Sequence, residues 1–79
     1  MTNSEKYLAA FKDALELDDA VLTDDLAFDS IPEWDSVGHM RLMAALEDAF
    51  EIMFETEDIM DFSSLGKGKE ILKKYDVEL

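Results

Sequence analysis

Apolar residues recur every three to four positions in several stretches of this chain, the spacing of helices that bury one side. The first stretch predicts a helix from about Ser4 to Leu17, with Tyr7, Leu8, Phe11, Ala14 and Leu15 on one face. Lys6, Lys12, Asp13 and Glu16 lie away from that face, and Thr2, Asn3 and Ser4 are equally suited to cap its start. A second helix opens at Asp35-Ser36 and continues to Glu51 through an unbroken run of good helix formers. Leu42, Ala45, Leu46, Ala49 and Phe50 share its core side. Ser36 projects from the opposite side at the first turn, above Met40, Ala44, Glu47 and Glu51, with Val37, Arg41 and Asp48 flanking them. After an apolar exit, Ile52-Met53-Phe54, a short third helix is predicted from Thr56 to Asp61, capped by Thr56 and held down by Ile59 and Phe62. The last helix should run from about Leu65 to Tyr75, capped by Ser63 or Ser64, with Leu65, Gly68, Ile71, Leu72 and Tyr75 facing inward. The predicted fold is all-α: a small four-helix bundle of three longer helices and one short third helix, with a long loop between the first two.

That loop, Asp18 to Asp35, holds many acids and no basic residue. A connection of this length in a small domain needs anchors. Val21, Leu22, Leu26, Phe28, Ile31 and Trp34 are spaced to supply them, while Pro32 breaks any helix and Trp34 should pack beside the start of the second one. Gly38 falls on the inner side of the second helix, where a missing side chain lets the preceding loop come close, and Gly68 suits close packing in the last helix. Met40, Met43, Met53 and Met60 read as flexible fillers between the second and third helices, with Ala44, Ala45 and Ala49 leaving room beside them.

Composition then narrows the function. The 79 residues suffice for one domain, residues 1–79, with one small core and no internal repeat. A net charge of -13 argues against nucleic acid, whose phosphates need Lys and Arg, and against anionic membrane surfaces. It favours protein partners with basic patches and makes the fold salt-sensitive through self-repulsion. A hydrophobic content of 48% is too high for a disordered acidic tail. Without cysteine there is neither a disulfide framework nor a cysteine metal site. No stretch is apolar enough to span a membrane and the start does not read as a signal peptide, so a cytoplasmic monomer is expected. Asp24-Asp25 through Asp29 lack the glycine and final glutamate of a calcium loop. Lys67, Lys69, Lys73 and Lys74 suit the carboxyl end of the last helix. Asp35, Ser36 and His39 invite comparison with a catalytic triad, but within one turn the acid cannot orient the far nitrogen of an imidazole that activates the serine.

Asp35-Ser36-Val37, opening a helix that continues to Leu46-Glu47-Asp48-Ala49-Phe50, resembles the attachment site of acyl carrier proteins. Their hallmark is an Asp-Ser-Leu motif whose serine carries 4'-phosphopantetheine; here Val37 stands in place of Leu. Length, acidity, helix spacing and the long loop match as well, so the resemblance covers essentially the whole chain. It implies a non-catalytic carrier, with 4'-phosphopantetheine placed on Ser36 by a phosphopantetheinyl transferase drawing on coenzyme A. The cofactor thiol would present acyl groups as thioesters to enzymes with basic docking patches. The resemblance also implies that Asp35 supports the site and that Val37, Met40, Arg41, Ala44, Glu47, Asp48 and Glu51 recognise partners, while an acyl chain can tuck into the bundle. Physically, a phosphodiester on Ser36 would sit at the positive end of the helix dipole. Asp and Ser are also ordinary caps, and Asp35 as the cap leaves Ser36 free. Two alternatives stay open: an aminoacyl or peptidyl carrier, and an acidic helical adaptor without cofactor. Gly38-His39-Met40-Arg41 replaces the acids that fatty-acid-type carriers place just after the motif, which resembles stand-alone carriers of specialised pathways more than housekeeping ones.

Overall fold

The computed structural model describes residues 2–79 as four helices: α1 (Asn3–Leu15), α2 (Ser36–Phe50), α3 (Thr56–Asp61) and α4 (Leu65–Lys73). The four-helix, all-α prediction holds, and no strand occurs among the described residues. Thr2 proves to be the cap of α1: its hydroxyl accepts from the Glu5 amide at 3.1 Å and the Glu5 carboxylate accepts from the Thr2 amide at 2.9 Å. Two otherwise orphan donors are thus satisfied reciprocally. Ser64, rather than Ser63, caps α4 by accepting from the Lys67 amide at 3.0 Å. The expected cap on α3 is corrected: Glu55 is the cap residue, with no side-chain bond, and Thr56 is already inside the helix.

Two helices end earlier than their apolar period suggested, α1 at Leu15 rather than Leu17 and α4 at Lys73 rather than Tyr75. The cause is a repeated stop. Glu16, Glu51 and Asp76 turn left-handed at φ 55, 54 and 63°. Leu17, Ile52 and Val77 then fold back, donating their amides to the carbonyls of Lys12, Glu47 and Leu72 at 3.2, 3.1 and 3.1 Å. Each follower is apolar and at least half-buried, so a hydrophobic contact accompanies the backbone bond.

Tyr7, Phe11, Trp34, Leu42, Met43, Leu46, Phe62, Leu65 and Leu72 form the heart of the core, each no more than 1% exposed. Edge-on contacts link Tyr7 to Phe11 and Phe11 to Trp34, at centroid separations of 5.1 and 5.4 Å. Gly68 makes this packing possible: a Cβ there would lie 2.2 Å from both the Phe62 ring and the Tyr7 hydroxyl. That hydroxyl donates to the Leu65 carbonyl at 2.6 Å, and burial pushes the phenol well above its usual range, with the nearby Asp24 charge adding to the effect.

The long loop is pinned at its middle and its end. Leu26 and Trp34 are buried, Leu22 and Ile31 half-buried, but Val21 and Phe28 are exposed at 39 and 40%, so only part of the expected anchoring occurs through side chains. Backbone supplies the rest, through an antiparallel bridge between Ala27 and Ser64. Phe28 N–H donates to Ser63 at 2.9 Å and Leu65 N–H to Leu26 at 2.8 Å. Lys69 adds an ion pair to Asp24 at 2.8 Å, so this lysine ties the loop to α4 rather than merely matching the helix dipole.

Short α3 hangs between its neighbours. Asp58, only 3% exposed, accepts from Lys74 Nζ and Tyr75 Oη, each at 2.5 Å, and the same Tyr75 oxygen accepts from the Glu55 amide at 2.9 Å. On the other side, the Ile59 carbonyl meets His39 of α2 at 2.8 Å. A six-residue helix is marginal by itself, and these side-chain bonds from the segment just after α4 and from α2 explain its survival.

Candidate functional site

Asp35 fixes how α2 begins. In an extended backbone conformation it accepts from the Gly38 amide at 2.8 Å and so acts as the cap. Ser36 is thereby the first helical residue; it is exposed, and its hydroxyl enters no hydrogen bond among the described residues. The loop can reach this point only because residue 38 is glycine: a Cβ there would lie 2.3 Å from the Glu33 carbonyl oxygen. Close approach of the loop and an uncommitted serine hydroxyl therefore arise from the same local geometry.

At 100° per residue, Gly38, Leu42, Leu46 and Met43 occupy the buried side of α2. Val37, Met40, Arg41, Ala44, Asp48 and Glu51 are exposed on the other side with Ser36, as the sequence suggested. Val37 and Met40 present substantial apolar surface, at 60 and 56% exposure. Arg41 makes no ion pair among the described residues, whereas three lysines hold tertiary partners, Lys12 on Asp19, Lys69 on Asp24 and Lys74 on Asp58. Glu47 departs from the expectation: it is half-buried, and its carboxylate accepts from the Phe54 amide at 2.9 Å, stitching the α2–α3 turn. Its negative charge is committed to the fold.

The methionine reading needs a larger correction. Met43 alone is buried, while Met40, Met53 and Met60 are 56, 84 and 78% exposed and fill no interior space. Ala45 and Ala49 face α1, beside Ala9 and Ala10, instead of opening room toward α3. What lies between the head of α2 and α3 is an open cleft of about 290 Å³, lined by Phe28, His39, Ile59, Met60, Phe62 and Ser63. Phe28 and Ile59 were expected only as anchors. No periodicity within one helix marks them as neighbours, because loop, α2 and α3 meet there only through the tertiary fold.

His39 sits on the wall of that cleft with both ring nitrogens engaged. Nδ1 accepts from Trp34 Nε1–H at 3.0 Å, so Nε2 carries the proton and donates to the Ile59 carbonyl at 2.8 Å. Neither nitrogen is available to take a proton from Ser36. The imidazole ties elements together.

No group of three or more candidate ligands able to hold a metal occurs among the described residues, and no helix there is long and apolar enough to cross a membrane. Among curated proteins and among solved structures, no match was found. A family model described as the phosphopantetheine attachment site matches residues 8–67, a span that takes in the loop, the head of α2, the cleft and the start of α4. Members of that family carry 4'-phosphopantetheine covalently on a serine, are modified by phosphopantetheinyl transferases and work with biosynthetic enzymes. With most of its length inside the match, the chain belongs to the phosphopantetheine attachment site family.

Proposed function

We propose that Ser36 is the attachment serine and that the chain is a non-catalytic acyl carrier. The observation that carries this reading is the division of labour at the helix start: Asp35 takes the capping bond, leaving an exposed, uncommitted Ser36 hydroxyl at the first turn. A phosphodiester there would meet the positive end of a fifteen-residue helix. When bound, the group supplies a thiol that holds acyl chains as thioesters. His39 supports the non-catalytic reading, since both of its nitrogens are occupied by Trp34 and Ile59.

An acyl rather than aminoacyl cargo is favoured by the cleft beside α2. Its walls are Phe28, Ile59, Met60 and Phe62, and the imidazole they enclose offers no unused hydrogen-bonding atom. An apolar chain loses nothing by lying there, whereas a charged amine would meet mostly apolar walls, with Ser63 as the one hydroxyl among the lining residues.

Val37, Met40, Arg41, Ala44, Asp48 and Glu51 form the docking face, with partner enzymes contributing basic groups toward Asp48 and Glu51. Arg41 supports service in a specialised pathway, because it puts a positive charge, outside the ion pairs of the described residues, one turn from Ser36, where a uniformly basic partner would be repelled.

The test is intact-mass analysis of the apo chain after incubation with coenzyme A and a broad-specificity phosphopantetheinyl transferase. Wild type should gain the mass of one phosphopantetheine and Ser36→Ala none, with unchanged helical content because Asp35 still caps α2. No gain by wild type, or an undiminished gain by Ser36→Ala, would overturn the proposal.

A further inference from the structure

We propose that His39 is a proton-operated latch that couples the head of α2 to α3. The proposal rests on how the two ring nitrogens are used and does not depend on what the chain carries. Indole Nε1–H can only donate, so the Trp34 bond at 3.0 Å requires a bare Nδ1. The Ile59 carbonyl can only accept, so the 2.8 Å contact requires a proton on Nε2. One neutral tautomer satisfies both, and the doubly protonated ring cannot.

Protonation at Nδ1 would set one N–H against another. Trp34 is fully buried, at 0% exposure, so its indole N–H would find no water in place of the lost acceptor. Turning the imidazole away relieves that conflict but gives up the Ile59 carbonyl. Among these side-chain bonds, helix α3 would then keep those from Asp58 to Lys74 and Tyr75, just after α4, and the Ile59–Met60 wall of the cleft would loosen beside the first turn of α2.

No charged side chain among the described residues bonds to the ring. The imidazole is stacked on Trp34 at 6.2 Å and met edge-on by Phe28 at 5.3 Å and Phe62 at 6.1 Å. The charged groups within two residues of the ring or of the residues it meets are Asp29, Glu33 and Asp35 on the loop, Arg41 on α2, and Glu57, Asp58 and Asp61 on α3. None of them hydrogen-bonds or ion-pairs with the ring among the described residues. Asp35 is given to the Gly38 amide, Asp58 to Lys74 and Tyr75, and the others are exposed. His39 is also the only histidine in the chain. Histidine is the side chain that ordinarily changes charge between about pH 5 and about pH 8.

The experiment follows the apo wild-type chain by NMR from about pH 8 to about pH 5. The imidazole Cε1–H shift reports protonation, the Trp34 Nε1–H shift reports the bond, and exchange of α3 amides, corrected for intrinsic rates, reports the consequence. The three should share one midpoint, with α3 losing about tenfold protection relative to α1. His39→Gln, which can both accept and donate without titrating, should show no such step. Unchanged α3 exchange or an unmoved indole resonance while the ring protonates would overturn the latch. So would an imidazole that stays neutral throughout the range, or the same step in His39→Gln. If His39→Gln does not fold, the coincidence or divergence of the three wild-type curves decides.

Discussion

Replacing Asp58 with asparagine should partly detach α3 from the segment that follows α4. The carboxylate accepts from Tyr75 Oη and Lys74 Nζ at 2.5 Å each while only 3% exposed. A hydrogen bond to a charged group contributes roughly 1.5–3 kcal/mol, against about 1 kcal/mol for a neutral one. The Lys74 side chain is 63% exposed, so solvent screens its half and no share is assigned to it. Asparagine keeps an acceptor for Tyr75 but loses the charge, a net loss of about 1–2 kcal/mol. For 79 residues the whole stability is on the order of 4–12 kcal/mol, so the melting temperature should fall by about 5–15 °C. The Lys74 hydrogen bond first, and the Tyr75 bond second, hold the Asp58 carboxyl below its ordinary value. Its contribution is therefore complete above the unfolded-state value and disappears as pH falls through the lower folded-state value. The gap between wild type and Asp58→Asn should thus close in strong acid. Lys74 is raised, chiefly by its hydrogen bond to Asp58, so the stability linked to it is lost only as alkaline pH rises through its folded-state value. Thermal unfolding by circular dichroism across pH measures all of this. A change under about 2 °C at neutral pH, or a gap undiminished in strong acid, would refute the reasoning.

Gly38→Ala should destabilise by about 1–3 kcal/mol in urea titration, because its new Cβ would lie 2.3 Å from the Glu33 carbonyl oxygen. Glu16→Gly should do the opposite, gaining about 0.5–1 kcal/mol in the same assay by relieving a left-handed residue at φ 55°. A general fatty-acid transacylase should turn the loaded chain over slowly, and Arg41→Glu should raise that rate several-fold; rates equal to those of a housekeeping carrier, unmoved by the substitution, would remove the specialised-pathway reading. Octanoyl loading should shift the amides of Phe28, His39, Ile59 and Met60, and shifts confined to Val37 and its immediate neighbours would leave the chain in solvent.

The helices were legible because each has one apolar face, and the head of α2 was legible because Asp35, Ser36 and Gly38 act within four residues. The carboxyl ends of α1 and α4 were not. The usual stop signal is glycine in the left-handed region, yet all three glycines lie elsewhere and none has positive φ. Glu16, Glu51 and Asp76 take the left-handed positions, and nothing distinguishes those acids from the many others in the sequence. Gly38 and Gly68 are used for close approach, as their inward register suggested, and at Gly66 a Cβ would also be tight, 3.3 Å from the Asp24 carbonyl oxygen and Cβ. The cleft was illegible for a different reason: Phe28, His39 and Ile59 are brought together by the Ala27–Ser64 bridge and the His39–Ile59 bond, and neither contact has a period.

Glu47 shows that a side chain on the outer half of a helix can still be tied into the fold. Its helical position is on the outer half of α2, as predicted, but outward angle and free charge are separate properties. The turn after Glu51 leaves the Phe54 amide in need of an acceptor, and Glu47 is the side chain in reach at 2.9 Å. In the proposed docking face, steering by α2 would therefore fall to Asp48 and Glu51, which are exposed and outside the ion pairs of the described residues. Reversing Glu47 would confound docking with unfolding of the α2–α3 turn, so a charge-reversal experiment on recognition belongs at Asp48. If the docking face works as proposed, Asp48→Lys should slow transfer by partner enzymes while leaving thermal stability near wild type. Raising the salt should slow the wild type in the same direction. Transfer that ignores both changes would place recognition in Val37, Met40 and the apolar surface alone.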